Sequence, residues 1–137
     1  MNKKNLLAFA FVIFAMGNAF AQLTVVNNNN PTQLAQVLAG SGVTVSNATI
    51  NCPAASLGTF NNGNTTNLGL NSGVVLTTGT VAAIPQGNGG FASTDNTNGG
   101  DANLNSIASA ATQDVCVLTF QIVPQGNQLR FDYVFGS

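Results

Sequence analysis

Apolar side chains alternate with polar ones along two runs near the end of the chain. Residues 116–122 and 129–135 each carry an apolar side chain at every second position, and Pro124-Gln125-Gly126-Asn127 separates them. A period of two is typical of strands that bury one face. The pattern therefore predicts a β-hairpin with an aromatic inner face.

Earlier in the chain, shorter runs favour strands separated by turns. Residues 23–26 and 43–50 are β-favouring runs, and Phe60 lies just before an Asn-Gly turn. Residues 74–76 lie between glycines without clean alternation, which suits a strand covered on both faces. These runs predict a mainly β fold, with antiparallel sandwich-like sheet packing and one or two short helices.

One helix is predicted with both of its ends defined, over residues 31–39. Asn30 is a favourable N-cap residue. Pro31 suits the first helical position, because a backbone N–H at that position has no partner within the helix and its absence costs nothing. Gly40 is suited to end the helix. The apolar face follows i, i+3, i+4 spacing and consists of Leu34, Val37 and Leu38.

The first 21 residues have the three parts of an export signal. A positive start precedes an unbroken apolar stretch at residues 6–15, which is too short to span a hydrocarbon core of about 30 Å. Small residues then occupy the two positions that a signal peptidase recognises. The residues concerned are Lys3, Lys4, Ala19 and Ala21, with Gln22 as the first residue after cleavage. We expect a secreted or cell-surface domain at residues 22–137, without membrane insertion once the signal is removed.

Very few charges follow the predicted signal. Arg130 is the single basic residue there, no histidine occurs anywhere, and the four acids are Asp95, Asp101, Asp114 and Asp132. Such a surface has no positive field to attract phosphates, so nucleic acid is not an expected partner. A surface polymer, a glycan or a protein ligand suits this polar, weakly charged composition better.

Two cysteines remain after the predicted cleavage, Cys52 and Cys116. An even pair in a small exported domain is most simply a disulfide. A reactive thiol or a metal ligand is the alternative, but no histidine is available to assist either role. A disulfide would close a loop with 63 residues between the two cysteines, which would stabilise the fold by about 4 kcal/mol through chain entropy.

The sequence after the predicted signal contains few residues that could support catalysis. A hydrolase needs a nucleophile with a base, or two carboxylates at a suitable separation. Asp132 lies two residues from Arg130, which favours a paired or solvated surface role. Asp114 precedes a strand, where it can finish a turn or cap an adjacent segment. We therefore expect no catalytic residues and no enzyme.

Calcium is the one cofactor that the residues suggest. Oxygen-bearing side chains recur around glycines in the candidate ligand set Asp95, Asp101, Asn103 and Asn105, and calcium takes six to eight oxygens. Ser106 and Thr112 stand where a helix-loop-helix calcium site has Gly and Glu. The alternative is that Asp101 caps a short helix with Leu104, Ile107, Ala108 and Ala111 at helical spacing.

Along nearly the whole segment after the signal, the order and spacing of several motifs are similar to those of the choice-of-anchor L domain family. The motifs that carry the resemblance are Gln33-Leu34-Ala35, Gly40-Ser41-Gly42-Val43, Asn51-Cys52-Pro53, Gly58-Thr59-Phe60, residues 68–79, Gly100-Asp101, residues 116–120 and Tyr133-Val134-Phe135-Gly136-Ser137. The resemblance implies an exported bacterial surface protein with a C-terminal anchor or sorting signal, often one of type IX secretion. It also implies that an acidic, aromatic stretch follows Ser137 and that relatives have a second acid at the position of Asn103.

Taken together, these features predict a non-catalytic binding or adhesion module of a larger surface protein. Its contacts are expected in polar loops that include residues 85–100. The predicted hairpin ends at Ser137 with its aromatic face uncovered, so the sequence is expected to be part of a longer chain. Two alternatives stay open, namely a structural spacer and a polysaccharide hydrolase whose acids lie beyond Ser137.

Overall fold

A computed structural model of the protein describes residues 23–84 and 94–136. The predicted signal with its cleavage site, most of the long polar loop at residues 85–93, and Ser137 lie outside these ranges. Among the described residues, no helix combines the length and apolarity needed to cross a bilayer.

The described residues form five strands in two antiparallel sheets. The strands are β1 (Thr24–Asn27), β2 (Val43–Asn51), β3 (Leu57–Asn61), β4 (Gly73–Leu76) and β5 (Val117–Pro124). In the three-stranded sheet, β3 lies between β1 and β4; in the two-stranded sheet, β2 pairs with β5. The prediction of a mainly β, antiparallel fold is confirmed.

The predicted helix, α1 (Pro31–Ala39), is confirmed together with its caps. The Asn30 side chain accepts a hydrogen bond from the Gln33 amide at 3.0 Å, and Gly40 ends the helix with a φ of 67°. Asparagine supplies the acceptor that the first turn needs, and glycine adopts a positive φ without steric cost. The short local pattern at residues 30–40 is therefore sufficient to define the helix.

Helix α1 contacts both sheets, namely β2 and β5 of the two-stranded sheet and β4 of the three-stranded sheet. Leu34 and Ala35 are its fully buried residues. They belong to a small apolar core whose other buried members are Leu57, Phe60, Val81 and Val115. Val81 lies in a short 3₁₀ turn, Val81–Ala83, which contacts β1. The core thus combines residues from β3, the helix, a turn and the segment just before β5.

The predicted C-terminal hairpin is wrong. Strand β5 does form, but its partner is β2, from Val43 opposite Pro124 to Asn51 opposite Val117, and residues 128–136 form no strand within the described chain. The period-two pattern identifies a face of an extended segment, but it does not choose the neighbouring strand. Consequently the aromatic face expected inside is exposed, with Phe131 55 % and Tyr133 85 % accessible.

The expectation for residues 74–76 is also wrong. Strand β4 lies at the edge of the described three-stranded sheet, its residues Val74 and Val75 are half-buried, and Leu76 is exposed. A run of apolar residues without alternation arises equally from a strand that is partly covered on each face, so periodicity could not distinguish the two cases.

Candidate functional site

The described part of the long polar loop, residues 94–100, lies against residues 112–116 and forms a shallow groove with them. The lining consists of residues 97–100 together with Asp95, Thr112 and Gln113, and the volume is about 380 Å³. We call this feature the loop groove. Its walls present amides, hydroxyls, glycine backbone and a single carboxylate.

Asp114 is the centre of the hydrogen bonds that fix one side of the loop groove. Its two carboxylate oxygens accept the backbone amides of Asn96 and Asn98 at 3.0 and 2.7 Å, and its own amide donates to the Asn98 carbonyl at 2.9 Å. Asp114 has a φ of 50°, a left-handed conformation that aspartate tolerates better than most residues. Asp114 was expected to finish a turn or cap an adjacent segment, whereas the two amides that it accepts lie 18 and 16 residues upstream in sequence.

A second set of bonds attaches the loop to the protein core through Asn96. The Asn96 side-chain amide donates to the Ser56 hydroxyl at 3.0 Å and to the carbonyls of Thr78 and Gly79 at 2.9 and 2.8 Å. Ser56 has no exposed surface, and its hydroxyl donates to the Gly79 carbonyl at 2.6 Å. We refer to Ser56, Asn96, Asn98 and Asp114 as the polar clasp.

The disulfide lies next to the polar clasp. The Asn98 side chain donates to the Val115 carbonyl at 2.9 Å, and the following residue, Cys116, is bonded to Cys52 just after β2. The predicted disulfide is confirmed. It fixes the start of β5 to the end of β2, and the clasp then fixes the loop groove to the start of β5.

Asp101 is the N-cap of a second helix, α2 (Ala102–Ala108). One carboxylate oxygen accepts the amides of Asn103 and Leu104 at 2.9 and 3.1 Å. The capping interpretation is therefore confirmed. The expected apolar face is not buried, because Ile107 is 81 % exposed and the helix has no buried residue.

The predicted calcium ligands lie close to this cap, and several of their oxygens already have protein partners. The Asn105 side-chain oxygen accepts both the amide and the hydroxyl of Thr112 at 2.6 Å, and one Asp95 oxygen accepts the Thr97 amide at 2.7 Å. Asn103 contributes its backbone amide to the cap. Within the described ranges, no group of three or more acidic, histidine or cysteine side chains is placed to share a metal. Calcium binding stays a prediction.

Substitution at the cap distinguishes the two roles of Asp101. Asp101→Ala is expected to lower the free energy of unfolding by about 1 kcal/mol, because two amides of the first helical turn lose their acceptor. The loss should be equal in excess EDTA and in millimolar calcium, as measured by urea denaturation. Asn103→Ala is the matched control, since it keeps the cap and removes only a candidate metal ligand. A calcium-dependent stabilisation that both variants abolish would instead assign Asp101 to a metal site.

Asp132 has the surface role expected from the sequence. Its carboxylate pairs with Arg130 at 3.0 Å, and both side chains are largely exposed. The pair lines a second shallow groove of about 480 Å³, where residues 130–134 lie beside residues 68–70. A solvent-exposed pair of this kind adds little stability.

Sequence reasoning missed most of the residues that build the site. Ser56 and Thr112 have no distinctive neighbours in sequence, and the positive φ of Thr97 (54°) leaves no pattern. The sequence pointed to this region only in outline, through the polar loop at residues 85–100 and the candidate calcium ligands Asp95 and Asp101. Both Asp114 oxygens accept amides, so this carboxylate positions the loop.

These features define a small mainly β domain in which a disulfide and a polar clasp hold an amide-rich loop. The chain belongs to the choice-of-anchor L family, because the family model described as "Choice-of-anchor L domain" matches residues 22–137. Membership confirms the resemblance seen in the motifs and indicates an extracellular or cell-surface protein. Searches among curated proteins and among solved structures found no significant match.

Proposed function

We propose that the chain is a non-catalytic binding module of an exported surface protein and that the loop groove binds a neutral glycan. The observation that carries this proposal is the lining of the groove, in which residues 97–100, Thr112 and Gln113, all uncharged and rich in amide, hydroxyl and glycine backbone groups, surround one shared space. Sugar hydroxyls donate and accept hydrogen bonds, and such groups match both functions.

The charge around the groove supports a neutral ligand. Asp95 is the only ionisable residue in the lining, and the one basic residue of the described chain, Arg130, is paired with Asp132 elsewhere. An anionic polymer would meet no cation in the groove. A strongly cationic ligand would find only one carboxylate. Neither the anionic nor the cationic ligand therefore matches the charge of the groove.

The rigidity of the loop that lines the groove supports the same proposal. Asp114 and Asn96 fix the loop by hydrogen bonds to backbone groups, and the disulfide fixes the strand that follows. A groove that is already ordered loses less conformational entropy when it binds a polymer. Weak individual contacts can then give useful affinity.

Binding to an array of neutral polysaccharides tests the proposal. Gln113 lines the groove and is exposed, so Gln113→Ala is expected to weaken binding about fivefold to tenfold through the loss of one hydrogen bond. The melting temperature should not change. The matched control is Gln36→Ala on the exposed surface of α1, which should leave both affinity and stability unaltered.

Failure of the folded chain to bind any neutral polysaccharide would contradict the proposal. In that case the alternative of a structural spacer in a larger surface protein would be favoured. Hydrolysis of a bound polysaccharide, abolished by Asp101→Ala or Asp132→Ala, would contradict the non-catalytic part of the proposal.

A further inference from the structure

Thr97 has an unfavourable backbone conformation within the loop groove. Its φ is 54°, and among the described non-glycine residues with a positive φ it is the only one with a side chain branched at Cβ. A β-branched residue in this region is a true outlier, and such conformations are retained mainly where a binding or catalytic site needs them. Thr97 is exposed and lines the groove. Its conformation therefore points to a role for its side chain in binding.

Asp95 fixes this conformation and places a carboxylate beside Thr97. One Asp95 oxygen accepts the Thr97 backbone amide at 2.7 Å. The amide nitrogen and the side chain of Thr97 are attached to the same Cα, so the carboxylate lies next to that side chain. A carboxylate has about four acceptor positions, and this bond uses one of them. The turn thus brings an acceptor and a hydroxyl side by side in the lining of the groove.

We propose that Asp95 and Thr97 select a sugar that has two neighbouring free hydroxyls on its ring. One sugar hydroxyl donates to the Asp95 carboxylate, and the next one bonds to the Thr97 hydroxyl, which can both donate and accept. A sugar ring holds neighbouring hydroxyls at fixed positions, so two adjacent partners bind them together with little loss of entropy. This inference rests on the proposed function, because it names the class of neutral glycan that the loop groove takes.

The linkage of the glycan tests this class of ligand. Dextran and galactomannan keep neighbouring free ring hydroxyls on nearly every sugar, whereas linkage through the third carbon in laminarin leaves almost none within the chain. Titration calorimetry of the oxidised protein should show that dextran or galactomannan binds at least about tenfold more tightly than laminarin, because laminarin can satisfy only one of the two groups. Periodate oxidation followed by borohydride reduction splits the neighbouring hydroxyls but keeps the polymer neutral, and it should abolish this preference.

Substitutions that preserve the turn test the two side chains. Thr97→Val keeps the branched shape and removes the hydroxyl, so it should weaken binding about fivefold to tenfold, and Thr97→Ser should recover most of that loss. Asp95→Asn keeps an oxygen for the Thr97 amide, and its melting temperature should be that of the wild-type protein. Its affinity should fall at least about tenfold, because bonds to a charged acceptor are stronger. Gln36→Ala is again the control.

Thr97→Gly distinguishes a binding role from a structural one. Glycine adopts a positive φ without steric cost, so this variant should melt no lower than the wild-type protein although its affinity falls as far as that of Thr97→Val. Full affinity in Thr97→Gly or in Asp95→Asn would overturn the inference, and so would equal binding of laminarin. In each of these cases a loss of affinity in Gln113→Ala would leave the proposed function standing. A wild-type chain that binds no neutral polysaccharide would overturn both.

Discussion

Breaking the Cys52–Cys116 disulfide is expected to lower the free energy of unfolding by about 4 kcal/mol. The bond closes a loop with a sequence separation of 64 residues, so its loss restores considerable entropy to the unfolded chain. The buried core of the described chain is small, which makes this contribution a large share of the total stability. Urea denaturation of the oxidised and reduced protein measures the difference.

The double variant Cys52→Ala with Cys116→Ala is the control for the effect of the reductant itself. It should unfold at the same urea concentration as the reduced wild-type protein, and added reductant should not change its midpoint. Amide exchange at Asn96 and Asn98 should also become faster in both reduced and double-variant protein, since the clasp is attached beside Cys116. Equal midpoints for oxidised and reduced protein would show that the bond contributes nothing to stability.

The parts of the fold that the sequence predicts well are those fixed by neighbouring residues. Helix α1 begins after Asn30 and ends before Gly40 because a capping side chain and a positive φ act within one turn. The disulfide was predictable for a different reason, since only two cysteines follow the predicted signal. Neither prediction required knowledge of which strands are adjacent.

Strand pairing was not predictable from periodicity. Strand β5 and residues 129–135 carry similar alternating patterns and are joined by a turn, yet β5 pairs with β2, from the first half of the chain. A hairpin has the smaller loop-closure cost, but it competes here with a longer ladder that a disulfide reinforces at one end. Alternation therefore predicted the half-buried face of β5 correctly, but it predicted the neighbouring strand and the burial of residues 129–135 wrongly.

The candidate site was predictable only in outline. Composition indicated polar loops with few charges, and the described part of the predicted loop does line a groove. The clasp, however, joins Ser56, Asn96 and Asp114, which lie far apart in sequence and carry no motif. Side-chain to backbone bonds of this kind depend on the final path of the chain, so no local pattern specifies them.

Replacing Asp114 is the change expected to have the largest effect on the loop groove. Asp114→Ala removes a carboxylate that accepts two backbone amides and places alanine at a φ of 50°. Bonds to a charged acceptor contribute about 1.5–3 kcal/mol, and the left-handed conformation costs a residue with a Cβ about 1–2 kcal/mol. We expect a loss of about 3 kcal/mol in the free energy of unfolding, measured by urea denaturation of the oxidised protein.

Two further substitutions at the same position separate these contributions. Asp114→Gly also removes the carboxylate but adopts the positive φ without strain, so it should be about 1 kcal/mol more stable than Asp114→Ala. Asp114→Asn tolerates the conformation and keeps one acceptor oxygen, and it should therefore be the least destabilising of the three. If all three variants unfold with the wild-type protein, the carboxylate does not hold the loop.

The same variants connect stability with the proposed binding. Asn98 and Gly99 line the groove, and Asp114 fixes the Asn98 backbone by two hydrogen bonds. Glycan affinity should therefore fall in the order of lost stability, from Asp114→Asn through Asp114→Gly to Asp114→Ala, because a loosened loop must be ordered again on binding. Gln113→Ala should weaken binding without loss of stability. If Gln113→Ala weakens glycan binding but the Asp114 variants do not, the groove walls contact the ligand without needing the clasp. The disulfide alone would then provide enough order.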